Sequence, residues 1–167
     1  MPALVSPLRA WLAALLADES GVLRSDRFPV DLGGAAYPLI DEDRTCEVRY
    51  VSGDLRPFAG SCRRALLTFN VRVAYRFATE PTMVTATDGD ALVSTAEDRC
   101  ADDAAAIRET CLNASLYETI SAGWTVVQMT PGVHTIEQGE GVVIGTLPVA
   151  MVASYNPANV TVGAALG

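Results

Sequence analysis

Residues 65–77, ALLTFNVRVAYRF, alternate between apolar and mainly polar side chains. Every odd-numbered position in this stretch is apolar, whereas most even-numbered positions are polar or charged. Because successive side chains of a β-strand point to opposite faces of a sheet, this pattern predicts a strand with one buried face. The usual strand has only about five or six residues. The length of this two-faced strand is therefore a feature that the rest of the chain has to explain.

Three further strands are predicted from apolar runs bounded by turn residues. The run CEVRYVSG predicts a strand at 46–51 and, through the linker GDLRPFAGS, an antiparallel hairpin with the long strand at 63–78. Near the C-terminus, WTVVQMTP predicts a strand at 124–131 and VVIGTLPVAMVASY predicts another at 142–155. The segment between these two strands, 132–141, is expected to be a polar connection.

The final predicted strand is apolar on both faces. Its apolar residues are Val143, Leu147, Val149, Met151 and Tyr155 on one face and Val142, Ile144, Ala150 and Val152 on the other. A strand of this kind is covered on both sides, either by its own fold or by another chain. Pro148 has no N–H to donate, so we expect this strand to lie at a sheet edge or to be bulged at Pro148.

An N-terminal amphipathic helix is predicted at 7–18, with Ser6 as its N-cap and Pro7 in its first turn. The residues of its apolar stripe are Leu8, Trp11, Leu12, Leu15 and Leu16. No basic residue precedes this run, and Arg9 lies within it, so the pattern favours an amphipathic helix over a signal peptide.

A second helix is predicted after an irregular segment at 79–93. Ser94 and Glu97 have the spacing of a capping box, and the helix is expected to extend to Tyr117 or Ile120. The residues of its core-facing stripe are Cys100, Ala104, Ile107 and Cys111. The charged residues expected mainly on its other faces are Glu97, Asp98, Asp102, Asp103, Arg108 and Glu109.

The order of elements is therefore α, β, β, α, β, β. This order predicts an α+β fold in which the N-terminal and mid-chain helices pack on one face of an antiparallel or mixed sheet. We expect a single domain over 1–167, with its core at about 7–155. The segment at 19–45 is expected to form an arm or long loop, and 156–167 a C-terminal tail.

The chain is strongly acidic, with a formal net charge of −8 at pH 7. All twelve of its basic residues are arginine. This balance argues against nucleic-acid binding through a broad basic surface, because phosphate binding needs clustered cations. No stretch of about 18 or more consecutive apolar residues occurs, so the sequence predicts no transmembrane helix.

The four cysteines of the chain, Cys46, Cys62, Cys100 and Cys111, include no CxxC pair. Their spacing therefore does not indicate a zinc site. We expect reduced thiols that are buried as small apolar groups. A disulfide between Cys46 and Cys62 across the predicted hairpin is the alternative.

The sequence offers few residues for catalysis or cofactor binding. Its one histidine, His134, lies in a connection between strands, and no GxSxG, GxxxxGK[ST] or GxGxxG motif is present. The acidic residues that could hold a hard cation are Asp88, Asp90, Glu97 and Asp98. Their spacing does not match a calcium loop, and Asp88-Gly89 indicates a turn. We therefore predict a protein that is not an enzyme and that binds neither a cofactor nor a metal.

The pattern of these elements resembles the tail-terminator and neck (tail-completion) proteins of long-tailed bacteriophages. The segments that carry the resemblance are LRAWLAALL, RRALLTFNVRVAYRF, STAEDRCADDAAAIRETC and GVVIGTLPVAMVASY. Together they extend over roughly 7–155 of the chain. The connector at 19–45 and the tail at 156–167 depart from the usual pattern of the family.

The resemblance implies a homo-oligomeric ring, a hexamer in this family, that caps the tail tube and forms the surface to which the head attaches. It implies a location in the virion, with a tail tube protein and a head-completion or neck protein as partners. DNA would pass through the lumen without specific binding. The family supplies no catalytic residues.

Subunit contacts are predicted from the polar face of the long strand and from the second apolar face of the final strand. The candidate contact residues are Arg72, Arg76, Val142, Ile144 and Val152. Three other functions are left open: a different neck or head-completion ring protein, a small β-rich module that encloses an apolar ligand, and an enzyme that uses the acids at 88–98 with a divalent metal.

Overall fold

The computed structural model describes residues 3–19, 45–76, 86–120, 123–139 and 142–160. Within these ranges the chain forms α1 (Val5–Glu19), β1 (Thr45–Pro57), β2 (Arg63–Arg76), α2 (Ala86–Asn113), β3 (Trp124–Pro131), β4 (Thr135–Gly139), β5 (Val142–Tyr155) and a 3₁₀ helix (Pro157–Val160). The predicted α+β class is confirmed. The expected arm at 19–45 and most of the expected tail at 156–167 lie outside the described residues, and the single-domain organisation stays a prediction.

In the described part of the chain, the strands form one antiparallel sheet in the order β1-β2-β5-β3, and β4 pairs with β5 beyond the end of β3. β2 is an inner strand, because it pairs with β1 on one side and with β5 on the other. The β2–β5 ladder runs from Arg63 opposite Tyr155 to Arg76 opposite Val142. The length of the alternating stretch is explained by its position in the sheet. Neighbouring strands on both sides form backbone hydrogen bonds with β2 over nearly its full length.

Both helices pack against the odd-numbered face of β2, as predicted. The largest fully buried side chains of the core are Trp124, Phe69, Leu8, Leu12, Leu16, Leu67, Ile107, Met151, Val71, Val126 and Val143. In α1, Trp11 and Leu15 border this core and are partly buried. Burial of each large apolar side chain contributes about 1.5–3 kcal/mol relative to an exposed position, so the helix–sheet interface is the main source of stability.

β1 is longer than the strand predicted at 46–51. A bulge between Tyr50 and Ser52 inserts one extra residue, and pairing with β2 then continues to Pro57 opposite Arg63. The bulge breaks the alternation of apolar and polar residues, and for this reason the strand was predicted to end at 51.

The expected polar connection at 132–141 contains a strand, β4. The expectation that β5 lies at a sheet edge is wrong. β5 lies inside the sheet, between β2 on one side and β3 with β4 on the other. Gly132 N donates to Pro148 O at 2.7 Å, at the break between β3 and β4. In an antiparallel ladder the N and C=O of one residue face the same neighbouring strand. The donor that proline lacks therefore falls at this break, which lets Pro148 occupy an inner strand.

The boundaries of the helices also differ from the prediction. α2 begins at Ala86, so Asp88-Gly89 and Ser94 are helical rather than a turn and a cap. Acidic residues in the first turn of a helix interact favourably with the helix dipole. An internal glycine such as Gly89 lowers helix stability by about 1 kcal/mol relative to alanine, and α2 forms despite this cost. α1 begins at Val5, so Ser6 lies in its first turn rather than at the N-cap.

α2 ends at Asn113 and does not extend to Tyr117 or Ile120. Tyr117 has a φ of 71°. Its N–H donates to Val126 O at 2.9 Å, and Ile120 N donates to Trp124 O at 2.7 Å. The chain after Asn113 therefore bonds to β3 instead of continuing the helix.

Gly145 sets how closely α2 approaches the sheet. A Cβ atom at Gly145 would lie 3.3 Å from Cys100 Cβ and 3.5 Å from Cys100 Sγ. Cys100 belongs to the buried stripe of α2. A side chain at this position of β5 would therefore press on the helix.

Replacement of Gly145 by valine is expected to lower the free energy of unfolding by about 1–3 kcal/mol, because the added methyl groups push α2 from β5. Urea denaturation followed by circular dichroism measures this change. Ala150→Val, at an exposed position of the same strand, is the matched control and should change stability by less than about 0.5 kcal/mol. Equal losses at the two positions would contradict the close contact.

Candidate functional site

A trough crosses the face of the sheet opposite the helices, and we call this face the open face. Both edges of the sheet are bulged beside the trough, at Tyr50/Ser52 in β1 and at Val126/Gln128 in β3. The row of residues that crosses the sheet between the two bulges is Ser52, Thr68, Ala150 and Thr130. Because a bulge bends its strand and increases the local twist, a bulge in each of the strands β1 and β3 curves the open face.

The trough has a volume of about 420 Å³ and an apolar floor with polar sides. Leu66 and Val152, which lie opposite each other in the β2–β5 ladder, form part of the floor. Leu66 is 41% exposed. The residues that supply polar groups to the lining include Ser52, Asp54, Thr68, Gln128 and Thr130. Such a surface can bury apolar groups of a partner and bond to its edges.

The charge of Asp54 is compensated within the chain, because Arg56 Nε donates to Asp54 Oδ2 at 2.6 Å. Lining hydroxyls come from serine and threonine, and no histidine lines the trough. In the described residues no group of three or more metal-binding side chains occurs. The lining therefore consists of apolar groups, hydroxyls, one amide side chain and the ion-paired Asp54.

Arg72, a predicted contact residue, has a partner in its own chain. Glu47 lies opposite Arg72 in the β1–β2 ladder, and Arg72 Nη1 donates to Glu47 Oε1 at 2.5 Å. The two side chains are only 18% and 15% exposed. A charge reversal at Arg72 would place two carboxylates opposite each other and weaken the hairpin itself. The role of Arg72 at a subunit contact stays a prediction, and substitution there does not isolate an interface.

The other predicted contact residues occupy different parts of the open face. Val142 and Ile144 form a small buried cluster with Ala74, separate from the main core. Val152 is partly exposed in the trough. Arg76 pairs with Val142 at the end of the β2–β5 ladder, and its side chain lies outside the described part of the structure. Among Val142, Ile144 and Val152, it is therefore Val152 whose side chain another molecule can contact.

Asp103, which was expected on an outer face of α2, is buried against the sheet. Tyr75 Oη in β2 donates a hydrogen bond to Asp103 Oδ2. Asp103 lies three residues after Cys100 and therefore borders the buried stripe on the helix surface. The polarity of an aspartate suggested exposure, and no local pattern indicates that a tyrosine hydroxyl lies opposite.

The four cysteines are free thiols, and Cys46, Cys100 and Cys111 are buried. Cys62 is only partly buried, so the expectation of burial is wrong for this residue. Cys46 pairs with Val73, whereas Cys62 directly precedes β2. These positions are at opposite ends of the hairpin, roughly 30 Å apart at the usual strand rise of about 3.3 Å per residue, so a disulfide between them is too long.

Burial makes two of these thiols poor nucleophiles. It raises the pKa of Cys100 from 9.0 to about 11, with a smaller opposing effect of the hydrogen bond from the Gly145 backbone. Burial likewise raises the pKa of Cys111 from 9.0 to about 11. Because the thiolate is the reactive form, both residues act as apolar groups near neutral pH.

The remaining candidates for chemistry whose side chains are described lie in two different parts of the fold. His134 is exposed between β3 and β4, and Glu97 and Asp98 are exposed on α2. The side chains of Asp88 and Asp90 are not among those that the structure describes. Among the described helices, none is long and apolar enough to cross a membrane.

Comparison with known proteins assigns no family to this chain. No protein-family model matches the sequence, and no curated protein is significantly similar to it. The functional interpretation therefore depends on the fold and on the surfaces described above.

Tyr75→Phe is expected to lower the free energy of unfolding by about 1–3 kcal/mol, because it removes a donor from a buried carboxylate. Chemical denaturation measures the change, with Tyr50→Phe at a more exposed tyrosine as the control. The double variant Tyr75→Phe/Asp103→Leu should recover part of the loss, since both polar groups are then absent. A neutral Tyr75→Phe variant would show that the hydrogen bond does not stabilise the fold.

Alkylation of the native protein by iodoacetamide at about pH 8 is expected to modify Cys62 first, because the thiols of the other cysteines are buried and, at Cys100 and Cys111, protonated. All four cysteines should react after denaturation. Peptide mass spectrometry measures the order of labelling. Native labelling of Cys111 as fast as Cys62 would contradict the described burial.

Proposed function

We propose that this protein is a virion structural protein, a tail terminator whose copies assemble into a ring that caps the tail tube and joins it to the head. The ring has six copies, as in the phage proteins that the sequence resembles. A tail tube protein and a head-completion or neck protein are its partners, and the virion is its location. The subunit has no catalytic role.

The fold supports this proposal at the level of architecture. An antiparallel sheet with an N-terminal and a mid-chain helix on one face is what the resemblance to tail-terminator and neck proteins led us to expect. The acidic chain, with its net charge of −8, suits a lumen through which DNA slides, because like charges repel.

The observation that carries the proposal is the uneven cover of the two sheet faces. The face against the helices is buried, whereas the open face leaves Leu66 substantially exposed beside Val152 and Ala150. Exposed apolar surface framed by polar groups is typical of protein contact sites. A neighbouring subunit would bury this surface, and head-to-tail contacts close into a ring when the rotation between copies closes.

Two alternatives have some support. A different neck ring protein would have the same kind of subunit contacts. A small ligand-binding module is favoured by the volume of the trough, about 420 Å³, which lies within the usual range of about 300–1,000 Å³ for ligand sites. A small molecule that copurifies with a monomer, detected by native mass spectrometry, would support the module.

The purified chain is expected to form a closed ring, alone or when added to tail tubes. Multi-angle light scattering measures the mass of the assembly, and electron microscopy shows its shape and its position at the tube end. A chain that stays monomeric both in solution and with tail tubes would refute the proposal.

A substitution on the open face tests directly whether the trough belongs to the subunit contact. Leu66→Glu should weaken assembly, because it places a charge in the trough that a neighbour has to cover. Val133→Glu is the matched control, since Val133 is an exposed apolar residue away from the trough and is 79% exposed. Equal effects of the two substitutions would exclude the trough from the contact.

A further inference from the structure

The end of the β1–β2 hairpin is a basic surface on an acidic chain. Arg56, Arg63 and Arg64 lie there, accompanied by one acid, Asp54. The chain as a whole has a net charge of −8. We call these three arginines the arginine end. A local excess of positive charge on such a chain is suited to an acidic partner.

The positions of the arginines at this end lower the stability of the β1–β2 hairpin within a single subunit. Arg56 and Arg64 lie directly opposite each other in the β1–β2 ladder. Like charges at directly opposed positions destabilise a strand pair. The ion pair of Arg56 with Asp54 compensates one charge only, and both side chains are more than half exposed, at 67% and 55%.

The other two arginines have no carboxylate among the contacts described for them. Arg63 Nη1 donates to the backbone oxygen of Cys62 at 2.9 Å. The guanidinium of Arg64 lies over the ring of Phe58, 4.0 Å from its centroid, and Arg64 Nε is buried without a hydrogen-bond partner. Phe58 is itself 57% exposed. Arginine beside an exposed aromatic ring is the combination that is enriched at protein interfaces.

The outward side of α2 has the opposite charge. Its exposed residues Asp98, Asp102, Ala105, Glu109 and Leu112 follow one another at helical spacing and form a single stripe. We call this set the acidic stripe. From Asp98 to Glu109 the stripe is roughly 16 Å long, at about 1.5 Å per residue. It ends at Leu112, an apolar residue that is 61% exposed.

The two surfaces lie on different sides of the subunit. α2 packs on the sheet through the stripe that contains Cys100 and Ile107, so its acidic stripe faces away from the sheet. The arginine end lies where β1 turns into β2, and α1 rather than α2 packs against β1. A contact between the two surfaces therefore joins two copies, and it joins different patches, which is the requirement for a ring.

We propose that the arginine end of one copy docks on the acidic stripe of α2 of the next copy. The arginine end, in which Asp54 compensates one of the three arginines, is opposite in charge to the three carboxylates of the acidic stripe. Phe58 would be covered by Ala105 and Leu112. This contact rests on the proposed function, in which copies associate head to tail. It names two charged patches that meet between copies, and the trough that a neighbouring subunit covers adjoins the arginine end at Asp54.

Charge reversal of each patch tests the contact. Arg56→Glu/Arg63→Glu reverses the arginine end, and Asp98→Arg/Asp102→Arg reverses the acidic stripe. Arg56, Asp98 and Asp102 are exposed and Arg63 is partly buried, whereas Arg64 is left unchanged because its Nε is buried. Sedimentation velocity should show that each variant alone associates at least about tenfold more weakly than the wild-type chain. Circular dichroism verifies that both remain folded.

An equimolar mixture of the two variants should regain association. In the mixture, each glutamate-bearing hairpin meets an arginine-bearing helix, and each unchanged hairpin meets an unchanged helix. Association should also weaken between about 0.1 M and 0.5 M salt, because exposed charges are screened. Arg9→Glu/Arg49→Glu lowers the net charge by the same amount as the hairpin variant and should associate like the wild-type chain.

Each outcome decides the proposal. Wild-type assembly that both variants retain would overturn this contact while leaving the proposed function intact. A wild-type chain that is monomeric alone and with tail tubes would overturn both. Variants that lose association but do not regain it in the mixture would also overturn the contact. Loss of tail-tube binding with unchanged self-association would assign the arginine end to the tail tube protein instead.

Discussion

The antiparallel pairing of β2 with β5 is the constraint on which the rest of the structure depends. It joins residues 63–76 to residues 142–155, and every position of one strand has a partner in the other. A shift of the register by one residue would exchange the buried and exposed faces of both strands. The buried series of β2 meets the buried series of β5, for example Leu67 with Met151 and Phe69 with Val149, so the core selects a single register.

This central ladder determines the positions of the other elements. Because β2 and β3 both pair antiparallel with β5, they run parallel to each other, and the chain has to return between them. α2 lies in this connection and packs on the face that carries the core. Gly145 in β5 lets the helix approach at Cys100. On the far side of β5, the neighbouring strand is divided into β3 and β4, and the division coincides with Pro148. An inner strand can thus contain a proline without leaving a ladder carbonyl of the neighbouring strand unpaired.

Much of this architecture could be predicted from the sequence, because a regular period encodes it. The alternation in 65–77 identified β2, and the spacing of Cys100 and Ile107 identified the buried stripe of α2. The bulge in β1, the early start of α2 and the strand β4 were missed, because each interrupts or lacks a period. Asp103 was misplaced because its burial depends on Tyr75, a residue distant in sequence. The trough was not foreseen for the same reason: it lies between bulges in β1 and β3 that only the folded sheet brings near each other.

Charged residues are paired differently at the two ends of the β1–β2 hairpin. Near its open end, Arg72 lies opposite Glu47 and bonds to it, so the hairpin is stabilised where it carries charge. At the turn end of the same hairpin, Arg56 lies opposite Arg64. Like charges in directly opposed positions destabilise a strand pair, and the ion pair of Arg56 with Asp54 and the contact of Arg64 with Phe58 offset part of that cost within the subunit. Docking of the arginine end on an acidic partner, as we propose, would supply further carboxylates and would explain this arrangement by assembly rather than by the stability of one subunit.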